Sequence, residues 1–311
     1  MCRELGPIMP ATRMRFRGNG TGTFYIDLNR ALSLQLRKLH RQKVITTVYG
    51  GYFVDAPTGN DTSRVDLAVA PNTWPTKRSI NRSFALWRKM IAQTLSQTEG
   101  MTSGKWNDFK VYLNNAMGSS PLLPVDADNH PLCNESGNTP EWDYSTLTTA
   151  DPDDDPLNAP DAFELMIVGP HAKSGSGNNV NYTRVSMMQS WLDSRATADG
   201  PEPLHADSAA TTTDPLSNLF DAGDVDDDRL EIINAEGDLP PYDRNSYFGI
   251  AQAAGAQNNL QRVSTAVSTP SAHVQPIHGF EAICGLLEVN IVRAEGDWEI
   301  VLDVESNGVK F

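Results

Sequence analysis

The chain is predicted to be all-β with a few helices, folded as a sandwich or barrel. Three observations predict it. Short runs of β-branched and aromatic residues recur along the chain, many with alternating polarity. Loops are long and rich in turn formers, with 20 Pro and 23 Gly among 311 residues. Helical periodicity appears in only two or three stretches. The length suits about two domains at roughly 150 residues each, and 39% hydrophobic content is enough for a sizeable core.

Residues 1–20 are predicted to form an N-terminal arm, in which Arg13, Arg15 and Arg17 alternate with Met14 and Phe16 until Gly18-Asn19-Gly20 breaks the pattern. A disordered end and a basic-apolar tail touching lipid headgroups or nucleic acid both fit this composition. Thr23 to Asp27 reads as a strand, and Asp27 as the cap of a helix reaching about Arg41. Val44 to Val54 follows as a strand with a bulge or bend at Gly50-Gly51, and Val65 to Val69 as a half-buried strand.

The clearest helix lies within Pro71 to Leu95. Thr76 is its predicted N-cap, and Ile80, Phe84, Trp87, Ile91 and Leu95 share one face. Arg78, Arg82 and Lys89 fall on the opposite face, and no carboxylate occurs between Asp66 and Glu99. Such a stripe belongs to a solvated surface helix or to a contact helix whose acidic partner lies elsewhere. Lys105 to Leu113 then reads as an aromatic strand, and 114–161 as long loops with short strand pieces.

Phe163 to Val168 is a predicted strand that a Gly/Ser/Asn turn returns into Val180 to Met188, as a hairpin; Met187 to Leu192 turns helical. Residues 197–228 are polar and acidic. Further strands are predicted at 230–233, 247–250, 263–267 and 272–274. The strongest β signals close the chain, Ile283 to Val292 and Trp298 to Val304, joined as a hairpin across Arg293 to Asp297.

The net charge of −14 conceals a polarity. Residues 1–115 carry 17 Lys/Arg against 7 Asp/Glu, and the remainder 8 against 32, balances of +10 and −24. Overall acidity argues against a surface that coats nucleic acid throughout; a basic part packing on an acidic part between subunits fits it better. Three scattered cysteines suit neither a disulfide framework nor a zinc site, which points to reduced thiols and synthesis in a cytoplasm. There is no apolar run of membrane-spanning length and no signal-peptide pattern.

No catalytic constellation emerges. The six histidines have no metal spacing, and the nucleophile-elbow, P-loop and dinucleotide fingerprints are missing. Asp224, Asp226 and Asp228 open like a calcium loop, but Arg229 and Ala235 stand where an EF-hand needs Gly and Glu. A solvated acidic loop or an irregular calcium site remains. No enzyme activity and no cofactor are expected.

Several segments carry a resemblance. Tyr25-Ile26-Asp27-Leu28, Arg37-Lys38-Leu39-His40-Arg41-Gln42, Ala70-Pro71-Asn72-Thr73-Trp74 leading into Phe84-Ala85-Leu86-Trp87, Lys105 to Tyr112, and Gly279 to Val289 look like segments of capsid proteins from small icosahedral single-stranded DNA viruses. The chain most resembles the major capsid protein of lipid-containing, finnlakevirus-like bacteriophages. That resemblance covers about a third of the chain and implies a double jelly roll: an arm at 1–20, a basic first sandwich at 21–165 and an acidic second at 166–311. It implies a homotrimer of pseudo-hexagonal outline, assembled in the host cytoplasm and tiling a virion capsid over an internal membrane. Penton or spike proteins would be further partners, and sequence-specific nucleic-acid binding is not expected. In this picture Arg78, Arg82 and Lys89 contact neighbouring subunits, while Arg13, Arg15 and Arg17 face lipid or genome. The alternative is a β-sandwich surface adhesin or carbohydrate-binding protein with its ligand on the acidic loops.

Overall fold

The structure, a computed structural model, describes residues 11–57, 61–97, 107–118, 121–133, 142–148, 162–174, 181–194, 260–292 and 296–305. These residues are mostly β, with few helices and largely antiparallel sheets. The chain divides into two compact units, both discontinuous in sequence. The first comprises Met1–Asn72, Met117–Asp143 and Gln261–Phe311; the second comprises Thr73–Ala116 and Tyr144–Leu260.

The first unit is an eight-stranded sandwich. Its strands are β1 (Thr12–Asn19), β2 (Gly22–Asp27), β3 (Ile45–Val54), β4 (Ser63–Val69), β9 (Gln261–Ser268), β10 (Val274–Ile283), β11 (Leu286–Val292) and β12 (Asp297–Val304). One sheet has the order β1-β12-β3-β10 and the other β2-β11-β4-β9, with every pair antiparallel. The chain changes sheet at every step between these strands except from β4 to β9, which are neighbours in the second sheet, and the first and last strands, β1 and β12, pair with each other. That is the winding of a jelly roll.

Alternation explains the core. In β12, Trp298, Ile300, Leu302 and Val304 point inward at every second position. Met14 and Phe16 join them from β1, and Leu67, Val289 and Ile291 from the opposite sheet. Each such side chain contributes roughly 1.5–3 kcal/mol on burial. Trp298 also fixes the approach of β1. Its ring covers Gly18, where a Cβ would lie 2.3 Å from it, its Nε1 donates to Gly20 O at 3.0 Å, and Phe24 meets it edge-on at 5.0 Å.

Helix α1 (Leu28–Leu36) follows β2, and Asp27 caps it as expected, accepting from Arg30 N at 3.0 Å. The helix ends short of Arg41 because Arg37 takes a left-handed conformation (φ 52°). Residues 121–132 return to line the open edges of the sandwich: Leu122 N donates to Tyr25 O, and Val125 N to Arg15 O.

The second unit carries β5 (Thr146–Thr148), β6 (Ala162–Met166), β7 (Ala172–Ser174) and β8 (Asn181–Ser186), in the order β5-β6-β8-β7, with α2 (Trp74–Gln97) and α3 (Met187–Asp193). Buried Phe109, Val111, Tyr112 and Leu113 belong to it as well.

Several expectations change. The arm at 1–20 contains β1, because Met14 and Phe16 supply the inward alternation that β12 needs beside it. Residues 107–113 form an extended segment with one bridge, Tyr112 to Met166, rather than a full strand. β6 and β8 run parallel, so the hairpin partner of β8 is β7. The apolar run from Ile283 to Val292 is interrupted at Cys284 and Gly285, both at positive φ, where the chain leaves one sheet for the other. For the same reason β11 and β12 lie in different sheets and are no hairpin. The tandem division at 165/166 is not how the described strands group: one eight-stranded sandwich draws on both chain ends, and the described part of the second unit holds four short strands and two helices. The strands expected at 230–233 and 247–250 lie outside the described residues.

Candidate functional site

Charged surface is where the sequence placed its candidates, and the structure treats the two basic groups in opposite ways. On the outer side of β1, Arg13, Arg15 and Arg17 point away from the core and toward the acids of β12. Arg13 donates to both carboxylate oxygens of Asp303 (2.7 and 2.9 Å), directly across the strand pair. Arg15 grips Glu299 with two bonds (2.8 and 2.9 Å) and adds Asp126 O and Asn129 Oδ1 at 3.0 Å each. Arg17 pairs with Asp297, which also accepts from Asn19 Nδ2 at 2.7 Å. The last two pairs are diagonal, reaching two residues along the partner strand.

These bonds hold the carboxylates below their ordinary range: Asn19 and Arg17 act on Asp297, Arg15 on Glu299, and Arg13 on Asp303. The three arginines expected to face lipid or genome are thus engaged within their own sheet. Arg13 and Arg15 also border a cleft of about 350 Å³ with Leu34, Arg37, Val125 and Leu132.

Helix α2 is different. It begins two residues before the predicted cap, and Thr73, not Thr76, occupies the cap position, its hydroxyl 3.5 Å from Thr76 N. Thr76 is buried instead, its hydroxyl 3.0 Å from Met188 Sδ. The inner face is as expected. Ile80 is fully buried, and Phe84 and Trp87 stack at 5.9 Å and both meet Phe109. Ser79 and Ser83 are buried too, donating to backbone carbonyls of the preceding turn.

The outer face carries more than the three predicted cations. Arg78, Arg82, Arg88 and Lys89 are exposed and Lys77 is half-buried, and no acid lies on the helix. Among the described residues Arg78 and Lys89 make no ion pair. Trp74, 46% exposed and edge-on to Trp191 at 5.2 Å, opens the same face. Lys77, Arg88 and Trp74 were legible only by extending the helical wheel one turn toward the N-terminus and onto its flank.

Two polar centres serve the fold, one buried and one partly buried. Asp27 accepts from Gln42 Nε2 at 2.7 Å and Trp142 Nε1 at 3.0 Å besides its capping bond, and burial pushes its carboxyl up. In the second unit Arg184 lies 3.9 Å from the Tyr112 ring, pairs with Glu164 at 2.9 Å and donates to Asn115 O. Tyr112 stacks on Tyr144 at 3.9 Å, and burial followed by Glu164 pushes its hydroxyl up to about 12.

Asp224, Asp226 and Asp228 lie outside the described residues, and among those described no three His, Cys, Asp or Glu side chains gather as a metal-holding group. Among the described residues no helix is long and apolar enough to cross a membrane. No protein-family model matches the chain, nor does any curated protein or solved structure.

Proposed function

We propose that the chain is a structural capsid protein of a small icosahedral virus, with self-assembly as its function. The observation that carries the reading is the jelly-roll winding of the first unit, β1-β12-β3-β10 against β2-β11-β4-β9, a sandwich common to viral capsid and lectin domains. The two segments of the second unit, Thr73–Ala116 and Tyr144–Leu260, both fall between β4 and β9 in the chain, which supports it, since a sandwich held by its own eight strands tolerates long excursions from its loops. In this proposal the sandwich of the first unit forms the shell.

The double jelly roll and its pseudo-hexagonal trimer need a second eight-stranded sandwich, whose remaining strands would have to come from residues of the second unit beyond those described. The proposal therefore commits to one shell-forming sandwich per subunit and leaves the trimer, and the lipid layer beneath it, as its extension.

Mass measurement and electron microscopy of the purified chain test it. Multimers that close into shells of uniform diameter are the expected result, with assembly weakening as salt screens partly exposed charge pairs. A monodisperse monomer at every ionic strength overturns the reading, and saturable sugar binding by that monomer would replace it with a lectin-like adhesin.

A further inference from the structure

The outer face of α2 has a layout that a merely solvated helix does not need. At 3.6 residues per turn, Trp74, Asn81, Ala85 and Ala92 fall along its midline. Lys77 and Arg88 flank that line on one side, and Arg78, Arg82 and Lys89 on the other. Lys77 to Lys89 spans about 18 Å of helix axis. Small residues thus form a shallow track between two rows of cations, and an exposed indole stands at its head.

What anion would lie there? A folded acidic surface from a second copy is the first alternative. Yet five carboxylates among the described residues are already matched internally: Asp297, Glu299 and Asp303 by the arginines of β1, Asp66 by Arg64 and Arg262, and Glu164 by Arg184. A second copy would have to meet this face with acids other than these. Trp74 packs edge-on against Trp191 yet leaves nearly half of its surface exposed at the head of the cationic track.

Single-stranded nucleic acid accounts for both. Its phosphates repeat along a flexible line that two cation rows can follow, and its bases stack on aromatic side chains without regard to sequence. From the charge layout and Trp74 we infer that the outer face of α2 binds single-stranded nucleic acid, with Arg78, Arg82, Lys89, Lys77 and Arg88 holding phosphates and Trp74 stacking on a base. The inference does not rest on the capsid reading, because it concerns the isolated subunit. It assigns α2 an acidic partner other than the neighbouring subunit expected from sequence.

The test uses the full chain and a fluorescein-labelled oligodeoxythymidine, with affinity followed by anisotropy across a salt series. Three to five engaged phosphates give a slope of log affinity against log salt of about −2 to −3.5. Arg78→Ala/Arg82→Ala/Lys89→Ala is expected to weaken binding at least about 10-fold and to flatten the slope by about 2. Trp74→Ala is expected to weaken it about 5-fold to 100-fold with the slope unchanged, and Trp74→Phe to restore most of the loss. Circular dichroism checks that each variant is folded; if the triple variant is not, the singles Arg78→Ala and Lys89→Ala carry the test, each removing close to one phosphate's share of the slope. Absence of binding at low salt overturns the inference, as does binding that ignores these substitutions. Binding to phosphatidylserine vesicles but not to the oligonucleotide would make the face a lipid contact. Loss of self-association in the triple variant with oligonucleotide affinity intact would make it an interface between copies.

Discussion

Two groups of three cations, Arg13/Arg15/Arg17 and Arg78/Arg82/Lys89, look alike in sequence, yet the fold uses them differently. The first lies on a strand whose neighbour β12, some 280–290 positions away in the chain, presents an acid to each arginine. The second lies on a helix that has no carboxylate of its own, and its outer side is exposed. Cations become internal cross-links when the topology sets a complementary strand beside them; on α2, Arg78 and Lys89 make no ion pair among the described residues. Local sequence specifies the spacing of charge; pairing across the sheet decides what the charge is spent on.

That contrast can be broken most sharply at the strand. Phe16, between Arg15 and Arg17, is fully buried, and Phe16→Ala should cost about 3–5 kcal/mol in urea unfolding. If Arg15→Ala costs more, ion pairs rather than burial hold β1, and the ladder has been misjudged. Next in size is the buried carboxylate at the start of α1. Asp27→Ala removes the cap and leaves the donors of Gln42 and Trp142 facing a gap, for an expected loss of about 1–3 kcal/mol, whereas Asp27→Asn keeps most of the capping.

A double-mutant cycle on Arg15 and Glu299 should return a coupling of about 1 kcal/mol or less, since both side chains remain partly exposed. Arg78→Ala and Lys89→Ala should move stability by no more than about 0.5 kcal/mol. A loss at Arg78 or Lys89 as large as that of Arg15→Ala would erase the distinction between the two groups.

Acid titration gives a smaller signature with a definite sign. Asp297, Glu299 and Asp303 are held low, so their stabilisation is present above the ordinary carboxylate range near pH 4 and fades as pH falls below it. Asp27 is pushed up by burial, so its contribution is present at low pH and fades as pH rises through its folded value. Asp297→Asn/Glu299→Gln/Asp303→Asn should remove the acid limb of a stability–pH profile, and Asp27→Asn the opposing one.

Much of the fold was readable because local chemistry sets it. Asp27 before Leu28 marks a helix start, and the alternation in Trp298 to Val304 and the face shared by Ile80, Phe84 and Trp87 all appear in the structure as expected. Thr76 was misassigned because Thr73 and Thr76 are both good caps. The choice of Thr73 depends on Thr76 being drawn into the interior beside Met188. β1 was read as an arm because an edge strand with three arginines looks solvated until β12 lies beside it. The basic face of α2 was visible, but Trp74 looked like part of the preceding loop.

By itself, then, the sequence determined the β-rich class, the positions of most strands and the two-faced character of α2. These depend on periodicities of two and 3.6 residues, which act over a single turn or pleat. Only the tertiary structure decided which strands are neighbours, that both chain ends build one sandwich, and that Arg13, Arg15 and Arg17 pair with acids of β12 while the basic face of α2 is exposed. Those outcomes depend on partners hundreds of residues apart, and no local pattern records which distant segment will supply the opposing charge.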